Sequence, residues 1–488
     1  MTAERLKNFV ILHSNDMHGD FLAESQGTKG TLIGGLALLS GYLDKVRAEE
    51  ENVLYVISGD MLQGSLIDRE YMGVSTIEIM NYLAPDVVTL GNHELDYGLS
   101  HLLFLEKMAN FPIVNCNMYI KSSHRRLMQP HHVLTLDGFA ILFIGVITQD
   151  ILETLEHDEI GTFIDLEDAA VAVGRICNAY RDQDIELTVL MTHIGFKKDK
   201  ELATLLRPEW GVDVIIGGHS HTILAEPAIV NDILIAQAGV GTDQIGRFDI
   251  KVDARTNSIV DWQWQLLPVS TDLAEQDAEL QRFIESYQAV VDRKYNTIVC
   301  RFARRLTHPG RDRETDLGNL IADIFMQRAR SDVTLVGSGA IRRQELGPVV
   351  TFGDLREALP YDGTLYKFAL TGAQLSKAVA HSMRLEAHHD RHLFQLSKGV
   401  RAVYNDHTRA LESLTVHGQP VQDDERYTVC TLEYHYNQSD RAFDLTKEEL
   451  GALGMPRVVT TSYRDVVVEY LRHHQNVKSH VEGRLVFK

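Results

Sequence analysis

The 488-residue chain is longer than one hydrophobic core usually supports, so its length predicts at least two domains. With 44% hydrophobic and 24% charged residues, it has the composition of ordinary globular proteins, which predicts substantial cores and little disorder. The formal charge of −20 argues against nucleic acid duplexes and anionic membranes as partners, because a surface that binds a polyanion needs a dense basic footprint.

The N-terminal segment MTAERLKNFVILHSND has no long apolar core and no small-residue cleavage site, so it does not resemble a secretory signal. No apolar run reaches the roughly 18 residues of a membrane span. Four cysteines are spread along the chain: Cys116, Cys177, Cys300 and Cys430. Their wide spacing favours buried free thiols over a disulfide framework or a thiolate zinc site. We therefore expect a cytoplasmic protein.

From residue 9 to about residue 220, short β-rich apolar runs alternate with longer segments of helical period, which is typical of parallel βαβ units. The predicted strands are FVILHS, NVLYVIS, DVVTL, FPIVN, AILFIGVI, LTVLMT and VDVIIG. The predicted helices are GGLALLSGYLDKVRAEEE, STIEIMNYL, LSHLLFLEKMAN, LEDAAVAVGRICNAYRDQ and DKELATLLRP. Consecutive apolar residues suit strands that are covered on both faces, so we expect an α/β fold with layered sheets flanked by helices.

The following segments, ILIAQAG, GRFDIKVD and IVDWQWQLLPV, predict an antiparallel end to a first domain that spans residues 1–270. Residues 271–297 are interpreted as a linker helix, because an amphipathic, acidic segment without Gly or Pro begins there with an Asp as candidate cap. Residues 298–488 mix the helical pattern TDLGNLIADIFMQRAR with scattered strands, which predicts a second, α+β domain. Its His-rich stretch EAHHDRH is interpreted as a solvated turn, since nothing nearby completes a metal ligand set.

Polar side chains follow five of the predicted strands. These side chains are Asp16 and His18, then Asp60, then Asn92, His93 and Asp96, then His193, and finally His219 and His221. In an open α/β sheet, residues just past the carboxyl ends of strands converge on one crevice. Any one of the histidines could instead be a hydrogen-bonded core or turn residue, but coincidence at five strand ends is improbable. Carboxylate, amide and imidazole donors suit divalent ions such as Mn, Zn, Fe or Co.

The motifs NDMHGD, SGD, GNHELD, TH and GGHSHT together resemble those of the calcineurin-like metallophosphoesterases. With the long helix and the second domain, nearly the entire chain resembles the 5'-nucleotidase family. The resemblance implies one metal held by Asp16, His18, Asp60 and His221, and another held by Asp60, Asn92, His193 and His219. Asp60 would bridge two divalent ions, for which Mn or Zn is expected and Fe or Co are the alternatives.

Two such ions about 3.5 to 4 Å apart can hold a phosphate and lower the pKa of a bound water toward 7. Two ions of charge +2 and two aspartates would leave the site cationic, so an acidic protein can still attract an anionic substrate. In the resembling enzymes a dyad corresponding to His93 and Asp96 stands beside the phosphate and stabilises charge or protonates the leaving oxygen. Asp96 has an alternative interpretation as the N-cap of the helix that follows. His13 and Asp20 adjoin the first motif and receive no catalytic role.

The C-terminal segments resemble the nucleotide-binding domain of the 5'-nucleotidase family less closely. VGSGAIR resembles a Gly-rich turn that ends in Arg342, but Ser338 and Ala340 depart from the family pattern. In LPYDGTLYKFALTG, Tyr361 takes the position of a base-stacking aromatic residue, and TLEYHYNQSDRAF puts Tyr434 opposite it. This last segment retains Asp440 but lacks the family's glycines. Both tyrosines have an alternative interpretation as core residues. Nearby, Arg311 and Arg313 could contact phosphate or pair with local charges.

The leading interpretation is hydrolysis of a nucleoside 5'-monophosphate, with the first domain supplying the chemistry and the second binding the base. One alternative is a phosphodiesterase or pyrophosphatase acting on cyclic nucleotides or nucleotide sugars. Another, from a different class, is a nucleotide-binding sensor whose hydrolysis is vestigial. The expected partner is therefore a small nucleotide or phosphoester, and the sequence favours no particular oligomeric state.

Overall fold

The computed structural model describes residues 6–26, 30–120, 123, 125–148, 166–384 and 393–488. The His-rich stretch EAHHDRH lies outside these ranges. Two compact units make up the chain, unit 1 at Met1–Val291 and unit 2 at Asp292–Lys488. Within the described part of the chain, every helix is too short or too polar to span a membrane.

Unit 1 contains two six-stranded sheets and the helices around them. Its strands are β1 (Leu6–Ser14), β2 (Glu24–Gln26), β3 (Thr31–Ile33), β4 (Val53–Ser58), β5 (Val87–Thr89), β6 (Ile113–Val114), β7 (Tyr119–Ile120), β8 (Arg125–Arg126), β9 (His131–Leu136), β10 (Phe139–Ile147), β11 (Leu187–His193), β12 (Val214–Ile216), β13 (Ala228–Val230), β14 (Ile233–Ala236), β15 (Gln244–Asp253) and β16 (Ser258–Pro268). Its helices are α1 (Leu36–Glu49), α2 (Leu66–Tyr71), α3 (Val74–Leu83), α4 (Leu99–Met108), α5 (Leu166–Ala179) and α6 (Phe196–Leu205), and α7 (Ala278–Tyr295) carries the boundary with unit 2.

The first sheet has the strand order β16-β15-β1-β4-β5-β6, and the second has the order β13-β14-β12-β11-β10-β9. Strands β1, β4, β5 and β6 run parallel in the first sheet, and β10, β11, β12 and β14 run parallel in the second. Their inner faces share one hydrophobic core, to which Phe9 and Ile11 of β1 and Phe143 of β10 belong. The carboxyl ends of the central strands of both sheets carry the segments that hold the candidate ligands.

Helices cover the outer faces of this sandwich. Leu142 and Ile144 of β10 point away from the shared core and pack with Val173 of α5 and Leu202 of α6. On the first sheet, α1 lies against β4 and buries an apolar face that includes Leu39. The predicted α/β fold of layered sheets flanked by helices is confirmed.

Two local predictions for unit 1 were wrong. The segment ILIAQAG does not belong with β15 and β16, which are antiparallel as predicted, because β14 lies in the second sheet, parallel to β12 on one side and antiparallel to β13 on the other. The long helix begins at Ala278 rather than near residue 272. Its cap is Asp277, whose Oδ1 accepts hydrogen bonds from the N–H groups of Glu279 and Leu280.

Unit 2 is an α+β assembly. Its strands are β17 (Ile298–Arg301), β18 (Leu306–Thr307), β19 (Val333–Gly337), β20 (Glu345–Leu346), β21 (Val349–Thr351), β22 (Leu365–Thr371), β23 (Phe394–Leu396), β24 (Val400–Asn405), β25 (Ala410–Val416), β26 (Gln419–Pro420), β27 (Arg426–Leu432), β28 (Arg457–Thr460) and β29 (Leu485–Phe487). Its helices are α8 (Asp316–Ala329), α9 (Phe352–Ala358), α10 (Gly372–Met383), α11 (Glu433–Asn437), α12 (Ser439–Phe443), α13 (Lys447–Gly451) and α14 (Tyr463–His473).

A five-stranded sheet of order β23-β19-β27-β22-β28 forms the centre of unit 2. One face packs against α8, α9 and α14, and the other packs against α10 and the four-stranded sheet β26-β25-β24-β29. The helices begin where side chains satisfy free backbone N–H groups. Thr315 caps α8, and Thr351 with Asp354 and Thr371 with Gln374 form capping boxes at α9 and α10.

Candidate metal centre

The structure gathers the candidate ligands from segments that follow or end five strands in both sheets of unit 1. Asp16 and His18 follow β1, Asp60 follows β4, Asn92 follows β5, His193 ends β11, and His219 and His221 follow β12. Five of these residues have backbone φ angles in the left-handed region: Asp16, His18, Asp60, His219 and His221. A non-glycine residue in this region costs on the order of 1 kcal/mol, and such strain is concentrated at functional sites.

Asp16, His18 and His221 form one group of ligand atoms, which all lie within 4.8 Å of one another. His221 Nε2 is 3.3 Å from Asp16 Oδ1, and His18 Nε2 is 3.2 Å from His221 Nε2. Two imidazole nitrogens and a carboxylate oxygen therefore converge on one point. Asn15 orients the carboxylate by donating a 2.7 Å hydrogen bond to Asp16 Oδ2.

Asp60, His193 and His219 form a second group with the same spread. Asp60 Oδ2 is 3.1 Å from His193 Nε2 and 3.9 Å from His18 Nε2 of the first group, so this carboxylate lies within reach of both groups. The carboxamide of Asn92 joins the second group through a 2.8 Å contact between its Oδ1 and His219 Nδ1.

His193 gives a direct indication that this centre suits a cation. Its side chain is fully buried, and its Nδ1 donates to the carbonyl of Ser58 at 2.8 Å, which leaves a lone pair on Nε2. Within the described residues no well-aligned hydrogen bond reaches this buried Nε2, although Asp60 Oδ2 lies 3.1 Å away.

The pKa shifts of His193 and Asp60 also indicate that this centre suits a cation. Burial lowers the pKa of His193, but the carboxylates of Asp60 and Asp16 outweigh burial and raise that pKa. Burial likewise raises the pKa of Asp60, but the imidazole of His193 and the backbone N–H of His93 outweigh it and lower that pKa. The carboxylates thus stabilise positive charge at Nε2 of His193, and a divalent cation fits there both as a charge and as a lone-pair acceptor.

His93 forms a third group with His18 and Asp60, whose ligand atoms also lie within 4.8 Å of one another. Its ring lies 5.2 Å from that of His18, and its backbone N–H donates to Asp60 Oδ1 at 2.9 Å. Its Nδ1 is 2.7 Å from Asp96 Oδ2, and this hydrogen bond raises the pKa of His93 against the opposing effect of burial. The alternative interpretation of Asp96 as a helix cap is wrong, because α4 begins after Gly98 without any side-chain cap.

Sequence reasoning missed Glu94, which lies in the GNHELD motif between the dyad residues. Its buried carboxylate accepts hydrogen bonds from the N–H groups of Asp60, Met61, Leu62 and Gly91 at 2.6 to 3.2 Å. Glu94 therefore holds together the loop that carries Asp60 and the loop that carries Asn92. The only signal for Glu94 in the sequence was that it is a charged residue of the motif to which no role had been assigned.

The C-terminal candidates belong to unit 2, and three of the four line a cavity of about 790 Å³. Arg342, Tyr361 and Tyr434 line it, and each tyrosine is 60% exposed, so the alternative interpretation of both as core residues is wrong. The guanidinium of Arg342 lies 5.3 Å from the centre of the Tyr361 ring. Asp440 does not join them, because it is exposed at the start of α12 and is not part of the cavity wall.

Of the two arginines near this cavity, Arg311 is part of its wall. Arg313 is paired with the carboxylate of Asp312 at 3.0 Å, as the local-pairing alternative proposed.

Comparison with known proteins identifies both halves of the chain. Residues 9–222 match the calcineurin-like phosphoesterase family, and residues 294–448 match the C-terminal domain of 5'-nucleotidases. The chain belongs to the 5'-nucleotidase-like metallophosphoesterases. It is therefore a hydrolase of phosphoric esters, and its candidate ligand groups match the divalent metal pair that calcineurin-like phosphoesterases use.

Similar proteins cover this metallophosphoesterase along nearly its whole length. The 5'-nucleotidase of Mus musculus is 27% identical over 98% of this chain and 90% of its own length. Endonuclease YhcR of Bacillus subtilis (strain 168) is 25% identical over 97% of this chain, which spans only 40% of that relative. Among solved structures, a 5'-nucleotidase precursor from Thermus thermophilus has a TM-score of 0.60 at 22% identity, with 99% of both chains covered. At this identity the structural likeness concerns the fold alone.

Proposed function

We propose that this metallophosphoesterase hydrolyses nucleoside 5'-monophosphates to nucleoside and phosphate. Asp16, His18, Asp60 and His221 would hold one divalent cation, and Asp60, Asn92, His193 and His219 the other, with Mn or Zn as the expected metals and Fe or Co as alternatives. The observation that carries the proposal is the Asp60 carboxylate, which lies within 3.9 Å of a ligand nitrogen in each of the two groups. Bound there, the two cations would neutralise the phosphate and activate a water for in-line attack.

The residues of the chain have separate tasks in this proposal. Asp60 is fixed through its backbone N–H by Glu94 and through its Oδ1 by the N–H of His93, so its free oxygen is available to both cations. Asp96 holds Nδ1 of His93, which leaves Nε2 as the nitrogen that faces the substrate. From there it would stabilise the charge of the transition state or deliver a proton to the leaving oxygen.

We assign residues 1–270 to catalysis, residues 271–297 to a linker segment that contains α7, and residues 298–488 to substrate binding. Tyr361 and Tyr434 support the last assignment, because exposed aromatic rings that line a cavity are suited to stacking on a base, at about 1 to 3 kcal/mol per base. Arg342 would add a positive charge for the anionic substrate, whereas Asp440, the fourth expected residue, stands outside the cavity wall. The four buried free cysteines support action in a reducing compartment such as the cytoplasm.

A substrate panel tests the proposal. The purified chain is assayed with Mn or Zn on AMP, a cyclic nucleotide, UDP-glucose and a generic phosphodiester. We expect kcat/KM to be highest for AMP, by at least about 10-fold, because only the monoester offers both a terminal phosphate and a base. Faster cleavage of a diester would replace the proposal with a phosphodiesterase or pyrophosphatase, and nucleotide binding without any turnover would indicate a sensor.

A matched pair of aspartates tests the metal assignment. Asp60→Asn should lose metal content and turnover together. Asp20→Asn should retain both, because Asp20 adjoins the motif of Asp16 but its carboxylate accepts hydrogen bonds from the N–H and hydroxyl of Thr242. Full metal content in the Asp60 variant would remove Asp60 from the ligand set.

A further inference from the structure

His435 occupies a part of the unit 2 cavity wall that sequence analysis left without a role. It lies on α11 directly after Tyr434 and lines the cavity together with Tyr361. Two aromatic rings fix its imidazole edge to face, Phe394 at 5.2 Å and 78° and Tyr434 at 5.4 Å and 83°. The ring therefore has a defined orientation before any ligand binds.

Gly337 makes room for this imidazole. A Cβ atom at residue 337 would lie 2.3 Å from Nε2 of His435 and 2.5 Å from its Cε1, so no larger residue is compatible with the ring position. The glycine ends β19 and leads into the turn Ser338–Ala340, which also lines the cavity.

The imidazole has polar capacity that the protein does not use. Its Nδ1 is buried and has no hydrogen-bond partner in the part of the chain that the structure describes. Burial lowers the pKa of His435 to about 4, so the ring is neutral at physiological pH and offers one donor and one acceptor. A neutral imidazole in a cavity wall therefore has hydrogen-bonding capacity that a ligand can use.

Hydrogen bonds from residues that do not line the cavity hold two parts of its wall in place. The carbonyl of Ser338 accepts a 3.0 Å hydrogen bond from His308 Nε2, and its hydroxyl accepts one of 2.6 Å from Gln395. Across the cavity, Arg464 donates to the carbonyls of Leu359 and Pro360 and so fixes the turn that presents Tyr361. A pocket that is formed in advance can use a single hydrogen-bonding group for selection.

We propose that His435 determines base specificity, with its Nε2 forming a hydrogen bond to the edge of the nucleobase that stacks on Tyr361 and Tyr434. The inference rests on the proposed nucleotide substrate and names the side chain that recognises its base. Stacking tolerates any base because every base has a π-face, so recognition of one base requires a hydrogen bond of this kind. Nε2 is the candidate because His435 and Gly337 both line the cavity and Nδ1, the other ring nitrogen, is buried.

The test compares His435→Leu, which removes the hydrogen-bonding atoms at similar size, with His435→Gln, which keeps a polar group near the position of Nε2. Both variants and the unmodified chain are assayed with metal on AMP and on ribose 5-phosphate, which has the phosphate and sugar but no base. For His435→Leu we expect KM for AMP to rise about 5- to 10-fold with kcat within 2-fold, and no change on ribose 5-phosphate. His435→Gln should recover at least half of the loss on AMP.

Equal losses on both substrates would show that His435 only maintains the fold, and an unchanged KM for AMP would show that it does not contact the base. Either result overturns the proposal while the proposed function stands. If the unmodified chain cleaves ribose 5-phosphate with a higher kcat/KM than any nucleotide, the proposed function fails and the role of His435 fails with it. A calorimetric titration with adenosine gives the same comparison without turnover, so it also decides the case of a variant that loses activity for other reasons.

Discussion

Glu94 shows how much of the metal centre depends on a residue that touches no metal. Its two carboxylate oxygens accept four backbone N–H groups from the loops that carry Asp60 and Asn92. A carboxylate can accept all four because it presents only lone pairs, whereas an amide presents one oxygen and a competing NH₂ group. The position of the bridging aspartate therefore depends on the charge of Glu94 as well as on its shape.

We expect Glu94→Gln to weaken binding of Mn by about 10- to 100-fold, the usual effect of losing a residue that orients metal ligands. Isothermal titration calorimetry of the metal-free chain measures this directly. Glu51→Gln, a change of the same kind at an exposed residue, should leave the affinity unaltered. Unchanged Mn affinity in the Glu94 variant would mean that the loop keeps its shape without the carboxylate.

His93 separates the chemical step from metal binding. It donates its backbone N–H to Asp60 but lies outside the two proposed ligand sets, so His93→Ala keeps the backbone contact and removes only the imidazole. We expect kcat to fall by about 10² or more while metal content is unchanged, because a group that stabilises charge or transfers a proton is typically worth that much. Turnover equal to that of the unmodified chain, with metal content checked by elemental analysis, would exclude His93 from the mechanism.

At the scale of helices and strands, the sequence was most informative where strands are parallel and buried. The runs that end at Ser14, Ser58 and Thr192 became β1, β4 and β11, and their carboxyl ends bring Asp16, Asp60 and His193 together, as the strand-end argument implied. The pattern failed where pairing depends on distant partners. Nothing in ILIAQAG itself states that β14 lies beside β12.

The predicted helix caps were the other source of error, because an aspartate near the start of a helix can either cap it or bind another partner. Asp96 precedes a helix and looked like a cap, but the imidazole of His93 is a stronger partner for its carboxylate. Asp277 took the cap that the pattern placed near residue 272. Such choices depend on the positions of side chains in space, which the spacing of residues along the chain does not contain.

Acidic residues before strands also tie neighbouring strands of the sandwich together. Asp213 precedes β12, and its Oδ2 accepts the N–H of Thr188 in β11 at 2.8 Å, while Asp86 before β5 does the same for Tyr55 in β4. Burial raises the pKa of Asp213 to about 7, although the Thr188 N–H partly opposes this. The folded protein therefore favours the protonated carboxyl at a pH where the unfolded chain is ionised.

We expect Asp213→Asn to stabilise the protein at pH 8 by about 1 to 3 kcal/mol, because the amide keeps an acceptor for Thr188 without a buried charge. A raised carboxyl pKa destabilises the fold above its value of about 7, and this effect disappears as the pH falls to the unfolded value near 4. The stabilisation should therefore decline between pH 7 and pH 4. Urea unfolding at several pH values measures it, with the exposed Asp261→Asn as control. A gain independent of pH would assign the effect to packing instead.

At the scale of the whole molecule, the sequence predicted the metal ligands of unit 1 but only some of the cavity residues of unit 2. The metal ligands were all quoted from short motifs, and they converge because parallel strands impose where their ends meet. The cavity of unit 2 has no such rule behind it. Tyr361 and Tyr434 were found by resemblance, but Asp440 is not part of the wall and His435 is. The contact between His435 and Gly337 joins residues almost a hundred positions apart, which no local pattern reveals.

Removal of the metal should abolish hydrolysis, which we assign to unit 1, and should leave base binding, which we assign to unit 2. All candidate ligands belong to unit 1, whereas the cavity with Tyr361, Tyr434 and His435 is built entirely from residues of unit 2. After treatment with a chelator we expect hydrolysis of AMP to be lost and to return on addition of Mn or Zn. Adenosine, which lacks the phosphate, should bind the metal-free chain with a Kd within about 3-fold of that for the metal-loaded chain, since base stacking does not involve the cations. A much larger loss of adenosine affinity on chelation, measured by calorimetry at matched ionic strength, would mean that the base is not bound in this cavity of unit 2.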